Sequence, residues 1–240
     1  MRNEQYKVYN KLKADMTQNS ILLHVDNTEN FENKQQGERQ SAYLGHTSFS
    51  IFTGATYIRS KGNQNKFSLV IVSDAKDHSR IAAHSYIVKA IDVIMAKNTY
   101  SKAFQDLNFD IWSDDCSAQF RSWYVFHLTT IFPTSYNVVW YYKERRHGKR
   151  QMGGSGGCIK NAVYRAVMST RVVVHTSLNF VNAARSFDRS NECIYMPVDE
   201  VMAEPDEISN LRSWDANPPG AQVRKGCNEK RFRLPATFQN

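Results

Sequence analysis

The sequence predicts a mixed α/β sheet flanked by helices, and three observations carry that prediction. Short apolar runs at 20–26 (SILLHVD), 108–113 (NFDIWS) and 137–143 (NVVWYYK) have strand length and composition. Two further runs, 47–58 (TSFSIFTGATYI) and 67–73 (FSLVIVS), flank the turn-rich 60–66 (SKGNQNK) and read as a hairpin. Segments of helical period separate the later strands. The strongest is 78–97 (HSRIAAHSYIVKAIDVIMAK), where Ile81, Tyr86, Ala90, Val93 and Ile94 can share one face. One strand, then a hairpin, then alternating helices and strands make a mixed sheet.

The remaining elements follow in order. Residues 3–16 read as a short helix with Tyr6, Tyr9 and Leu12 on one face. Residues 28–42 (TENFENKQQGERQSA) are strongly polar and read as a loop or irregular helix. Residues 117–131 carry Phe120, Tyr124 and Leu128 at a spacing of four, which is helical. A basic, glycine-rich segment at 144–157 leads to helices at 158–168 and 176–186. Beyond about residue 205 the chain is polar, with Pro205, Pro218, Pro219 and Pro235, and an extended tail is expected. The expected organisation is a helical extension at 1–19, a sheet core at 20–170, a helical extension at 171–204 and a tail at 205–240.

Composition narrows the function classes. An apolar fraction of 41% in 240 residues supports a real core and excludes general disorder. A net charge of +8 favours a polyanion partner such as nucleic acid, or an acidic membrane face, and solubility alone explains it equally well. The four cysteines, Cys116, Cys158, Cys193 and Cys227, form no CxxC pair, so a zinc knuckle is not expected; they read as buried free thiols of a reducing compartment. No run approaches membrane-spanning length and no signal peptide is visible, so no membrane is expected and the chain reads as intracellular. Trp112, Trp123, Trp140, Tyr141 and Tyr142 read as core residues.

Two aspartates stand at strand ends, Asp26 after the first strand and Asp114 after the fourth. Sites in open α/β sheets form at the carboxyl ends of strands. If these two strands are neighbours, the carboxylates face each other and suit Mg²⁺ or Mn²⁺ through oxygen ligands. The plain alternative is that each caps its strand. Glu144, just past the last strand, is a candidate third carboxylate, and His147 a candidate ligand or proton carrier. Asp115 competes with Asp114, because adjacent strand residues face opposite sides. Asp74, Asp77 and His78 cluster before the long helix, where Asp77 is expected to cap it.

The segment 143–150 (KERRHGKR) holds five basic residues against one Glu. Lys143, Arg145, Arg146, Lys149 and Arg150, with Lys160 beyond, are candidate phosphate contacts. The glycines at 153, 154, 156 and 157 would let backbone amides approach phosphates ahead of a helix at 158, or else form a solvated loop. No Gly-Lys-[Ser/Thr] stands at P-loop spacing, so no nucleotide cofactor is expected. KERRHGKR also passes as a low-specificity nuclear-localisation run.

Four segments carry a family likeness: VDNTENFENKQQGERQSAYLGHTSFSIFT (25–53), VSDAKDHSRIAAHSYI (72–87), IWSDDCSAQFRS (111–122) and WYYKERRHGKRQMGGSGGCIKNA (140–162). Together they resemble transposon-derived proteins found in many copies in animal genomes, similar to integrase-type transposases with an RNase H-like core. The likeness spans about residues 20–170. It implies an RNase H-like mixed sheet and a metal-dependent reaction on DNA, with Mg²⁺ or Mn²⁺ as cofactor, a nuclear location and compatibility with a homo-oligomer. By position it assigns Asp26 and Asp114 as the first two acidic residues, choosing Asp114 over Asp115. Glu29 and Asn30 match an E-N pair, Gln40, Ser41 and Ala42 a Q-S-A triplet, and Glu144, His147, Gly148 and Lys149 an E-x-x-H-G-K motif. Gln119 and Phe120 follow the second aspartate as in the family. The pattern departs at Gly153, where an aspartate is expected. That departure implies a degenerate centre in which Glu144 substitutes as ligand. The alternative is an inactive derivative that binds nucleic acid or protein.

Overall fold

Strand β1 (Ser20–Glu32) is the hub around which the other elements assemble. A computed structural model of the chain describes residues 2–32, 48–60, 63–97, 107–116, 119–122, 124–125, 127–128, 136–143, 152–169, 171–187 and 191–203. The strands that follow β1 are β2 (Ser48–Ser60), β3 (Asn63–Ser73), β4 (Asn108–Asp114), β5 (Asn137–Lys143) and β6 (Asn191–Tyr195). The helices are α1 (Arg2–Ala14), α2 (Arg80–Lys97), α3 (Met152–Met168), α4 (Ser177–Phe187) and α5 (Val198–Met202). Among the described residues the strands form one six-stranded sheet in the order β5-β4-β1-β2-β3-β6. Strands β1, β2 and β3 form an antiparallel meander. Strands β4 and β5 continue the sheet parallel to β1, and β6 pairs parallel to β3. The chain is therefore a mixed α/β sheet flanked by helices, as the sequence predicts.

Side-chain alternation sends the two halves of each strand's residues to opposite faces. Ile21, Leu23 and Val25 of β1 pack with Phe52, Leu69, Ile71, Phe109 and Ile111 beneath Ala83, Tyr86, Ile87, Ala90 and Ile94 of α2. The other face is shared by two groups of helices. Tyr9 of α1 and Met16 just beyond it cover Leu22, Ala55, Tyr57, Trp112 and Tyr141. Ile159 and Val163 of α3 and Phe180 and Val181 of α4 cover Phe31, Phe49, Ile51, Val70 and Val72. The stretch of sheet between these two groups holds Asp26 and Thr53, opposite one another on β1 and β2.

Several elements differ from expectation, each for a stated reason. Strand β1 runs six residues past Asp26, because the 13-residue β2 pairs with it as far as Glu32↔Ser48. A partner strand satisfies the backbone whatever the side chains, so polar residues stay in strand. Of the turn expected at 60–66, Ser60 belongs to β2 and Asn63, Gln64, Asn65 and Lys66 are exposed residues of β3, while 61–62 lie outside the described residues. Helix α3 starts at Met152, not 158, so Gly156 and Gly157 are helical. Tertiary packing overrides the weak helix propensity of glycine there. The segment 171–204, read as helical, also contributes β6, whose NECIY gains its stability from pairing to β3.

Of the helix expected at 117–131, only 119–122, 124–125 and 127–128 are described; Phe120, Tyr124 and Leu128 are buried. Residues 33–42 of the expected loop and the tail 205–240 lie outside the described residues. Trp112, Trp140, Tyr141 and Tyr142 are buried, and Trp123 lies outside the described residues. Cys193 is buried, Cys116 is half-buried and Cys158 is exposed on α3, all free thiols. Cys158 contradicts the expectation of burial because it follows Gly157 on the open side of the helix. At the start of α2 the cap is Ser79, whose Oγ accepts the Ala82 N–H at 3.4 Å. Asp77 acts one step back, accepting from the Ser79 N–H at 2.8 Å and from its hydroxyl. His78 Nε2 meets Asn30 Oδ1 at 2.7 Å, and Asp74 accepts from Ser177 Oγ at 2.6 Å. No described helix is long and apolar enough to cross a membrane.

Candidate carboxylate site

Asp26 and Asp114 come from neighbouring parallel strands. The β1–β4 ladder runs from Ser20↔Asn108 to His24↔Trp112 at a constant offset of 88 residues. Carried two residues further, the same offset sets Asp26 level with Asp114. Both aspartates then share the sheet face of His24 and Trp112, since side chains repeat every second residue. Asp114 is the last residue of β4, whereas β1 continues alongside β2. The two half-buried carboxylates thus flank the point where the parallel half of the sheet stops and the antiparallel half goes on.

One strand repeat back, the floor is aromatic and buried. The Tyr9 ring packs edge-on against His24 and Trp112, each with ring centroids 5.3 Å away. His24 and Trp112 are buried, and Trp112 stacks on Tyr141 of β5. On the other side, α3 comes down on the sheet. A Cβ at Gly156 would lie 2.8 Å from Thr28 Cγ2 and 3.2 Å from Thr53 Cγ2. Thr28 Oγ1 donates to the Ile51 carbonyl at 2.9 Å and Thr53 Oγ1 to the Asp26 carbonyl at 3.2 Å. Both hydroxyls are spent on backbone, which leaves methyl groups facing the helix. The first turns of α3 therefore rest beside Asp26, and Gly153 stands three residues before the contact point.

Asp114 Oδ1 accepts the Cys116 N–H at 3.2 Å, which fixes one oxygen of the carboxylate. Asp115 is engaged elsewhere, in an ion pair with Arg121 at 3.1 Å. Lys143 ends β5 level with Asp114. Lys160 is half-buried on α3, one turn after Gly156. Glu144, Arg145, Arg146, His147, Lys149 and Arg150 lie outside the described residues. One expectation is corrected: Gly156 and Gly157 form no loop offering amides to phosphates, because inside α3 their N–H groups belong to the helix ladder.

Among the described residues, no group of three or more His, Cys, Asp or Glu side chains is placed to hold a metal ion. Two level carboxylates fit one hydrated Mg²⁺ or Mn²⁺, since Mg²⁺ keeps several waters and commonly takes one or two carboxylates. They do not make a closed cage, and Gly153 offers no side chain to close one. Sequence reasoning put Tyr9 on a helix face and Trp112 in the core, passed over His24, and did not join the three to the site. The signal was the spacing: His24-x-Asp26 and Trp112-x-Asp114 set an aromatic ring and a carboxylate on one face of each strand.

No curated protein matches the sequence. Residues 5–218, from α1 to beyond α5, match the family described as Domain of unknown function (DUF8701), and the chain belongs to that family.

Proposed function

We propose that this chain is a DNA-binding domain of RNase H-like fold, derived from a metal-dependent strand-transfer enzyme of the transposase class and carrying an incomplete catalytic centre. The level placement of Asp26 and Asp114 on adjacent parallel strands carries this reading. The order β3-β2-β1-β4-β5, antiparallel then parallel about β1, supports the RNase H-like core, with β6 added at the edge. Asp26 and Asp114 would anchor Mg²⁺ or Mn²⁺, which supplies Lewis acidity toward a phosphate or a water when bound. The Tyr9–His24–Trp112 floor excludes water from one side and holds both strands in register. Glu144 and His147 are the proposed further polar groups, and Lys143, Arg145, Arg146, Lys149, Arg150 and Lys160 the proposed phosphate contacts. The net charge of +8 supports a polyanion partner. A second reading, binding of DNA or protein without metal chemistry, is favoured by Gly153 and by the two-carboxylate count among the described residues.

Titration calorimetry with Mn²⁺ separates the two readings. The full chain should bind Mn²⁺, and Asp26→Ala combined with Asp114→Ala should abolish the signal. An absence of binding to the native chain at millimolar Mn²⁺ would sink the metal site and leave the second reading.

A further inference from the structure

Among the described residues the cations are unevenly neutralised. Among the described residues the ion pairs are Lys89–Glu200, Lys97–Glu192 and Arg121–Asp115. They lie on α2, α5, β6 and the segment after β4. None of Lys7, Lys11, Lys13, Arg59 or Lys66 joins a carboxylate among the described residues. Lys13, Arg59 and Lys66 gather where the C-terminal end of α1 meets strands β2 and β3. Lys13 Nζ lies 4.2 Å from the centroid of the Tyr57 ring and Lys66 Nζ 5.8 Å from the same centroid, so one ring positions two ammonium groups. Lys11 and Lys7 are exposed and continue along α1 at one-turn spacing, with exposed Asn10 between them. Exposed Asn63, Gln64 and Asn65 adjoin Lys66 on the hairpin. Asp15, one turn after Lys11, is an exposed acid on that side of α1, and Glu4 stands three residues before Lys7.

The surface is also rigid. Arg59 donates to the Met16 carbonyl at 2.8 Å and reaches the Ala14 carbonyl at 3.4 Å, and Gln64 Nε2 donates to the Lys13 carbonyl at 3.0 Å. The hairpin thereby clamps the C-terminal end of α1, while Tyr9 and Leu12 root the helix in the sheet. Like charges held close on fixed elements repel until a polyanion arrives and their counterions are released. Lysine, asparagine and glutamine side chains are donors suited to phosphate oxygens. Tyr57 is only 5% exposed, so no aromatic platform for base stacking is offered there.

We infer that the outer face of α1 and the tip of the β2–β3 hairpin bind the sugar-phosphate backbone of a nucleic-acid duplex through Lys7, Lys11, Lys13 and Lys66. This surface is separate from the basic run after β5 and does not depend on metal binding. It stands at the β1 start, six residues from Asp26. At about 3.3 Å per strand residue that is about 20 Å. A duplex reaching both places would span about 6 base pairs at about 3.4 Å each.

The test is fluorescence anisotropy on the full chain with a labelled DNA duplex of about 30 base pairs, read from about 50 to about 200 mM salt. Lys7, Lys11, Lys13 and Lys66 are changed together to Gln; Arg59 is spared because it clamps α1. The variant should lose about tenfold or more in affinity, and its log K against log salt slope should fall by about three to four. Lys89→Gln with Lys97→Gln, both ion-paired in the native chain, should change the slope little. If the fourfold variant does not fold, Lys11→Gln with Lys66→Gln, both at exposed positions, should lower the slope by about two. Wild-type affinity and slope in a folded lysine variant overturn the inference. So does a native chain that binds anionic phosphatidylserine vesicles or an acidic protein but no duplex. The inference rests on the DNA-binding reading above: a native chain that binds no duplex removes both, whereas Mn²⁺ calorimetry reads Asp26 and Asp114 and not these lysines, so the metal site and the lysine surface fail separately.

Discussion

Gly156 and Thr28 meet so closely that a Cβ on the glycine would lie 2.8 Å from Thr28 Cγ2. A missing side chain therefore sets the height of α3 over β1 and β2, beside Asp26. Thr28 cannot turn aside without cost. Its hydroxyl donates to the Ile51 carbonyl, and a β-branched side chain has few rotamers to choose from.

Two adjacent glycines should consequently respond in opposite directions. Gly156→Ala gains about 1 kcal/mol of helix propensity but must displace two threonine methyls, an overpacking cost of about 1–3 kcal/mol. We expect a net loss of about 1 kcal/mol in urea unfolding, together with weaker Mn²⁺ binding as α3 lifts. Gly157→Ala meets nothing within 4 Å and should gain about 0.5–1 kcal/mol. Stabilisation by both substitutions would show that α3 does not rest on the sheet at Gly156.

Stability should fall with acid through one buried pair. His84 Nε2 lies 3.3 Å from His127 Nδ1, and both residues are buried. Burial first, and the neighbouring His127 second, hold the His84 pKa down to about 4. The folded state thus resists a proton that the unfolded chain accepts near the ordinary value of 6.5. This contribution is complete above pH 6.5 and is lost as pH falls toward about 4, amounting to at most about 3 kcal/mol. The urea midpoint of the native chain should fall between neutral pH and a pH well below 6.5, and His84→Gln should flatten that dependence. An equally steep dependence in His84→Gln would remove His84 as its source.

The sheet was legible in the sequence because each of its first five strands carries an apolar run, and Asp26 and Asp114 stood out as strand-end residues; that their strands are neighbours comes from the pairing of β1 with β4. What escaped was decided by tertiary contact. Residues 27–32, polar except for Phe31, stay in β1 because β2 lies alongside, and NECIY becomes a strand because β3 offers an edge. The glycine run read as a loop, since nothing local announces that Thr28 and Thr53 need a helix without side chains above them. Tyr9 was read as one residue of a terminal helix, and its place between His24 and Trp112 depends on how that helix crosses the sheet.

One buried hydroxyl is a liability. Thr56 is fully buried on β2, and its Oγ1 has no hydrogen-bond partner among the described residues. Valine keeps the shape and β-branching and removes the unsatisfied group, whose desolvation costs about 1–3 kcal/mol. Thr56→Val should raise the melting temperature. A clear drop would mean that a partner, such as an ordered water, satisfies the hydroxyl.

The most direct probe of the carboxylate site is to supply what Gly153 lacks. Gly153 lies in the first turn of α3 and three residues before Gly156, so the two positions are neighbours on the helix surface. An aspartate there has two separable effects. A negative charge in the first turn interacts favourably with the helix dipole, worth about 0.3–1 kcal/mol at any first-turn position. Only a carboxylate near Asp26 and Asp114 adds a ligand. Gly153→Asp should therefore tighten Mn²⁺ binding by about tenfold or more, equivalent to about 1.4 kcal/mol. Ser155→Asp, placed in the same turn but rotated about 100° around the helix from Gly156, should share the dipole effect without the metal effect. The gain from Gly153→Asp should vanish when Asp26→Ala is added. Equal gains from the two first-turn aspartates would mean that charge alone attracts the cation, and no change from either would separate α3 from the carboxylates altogether.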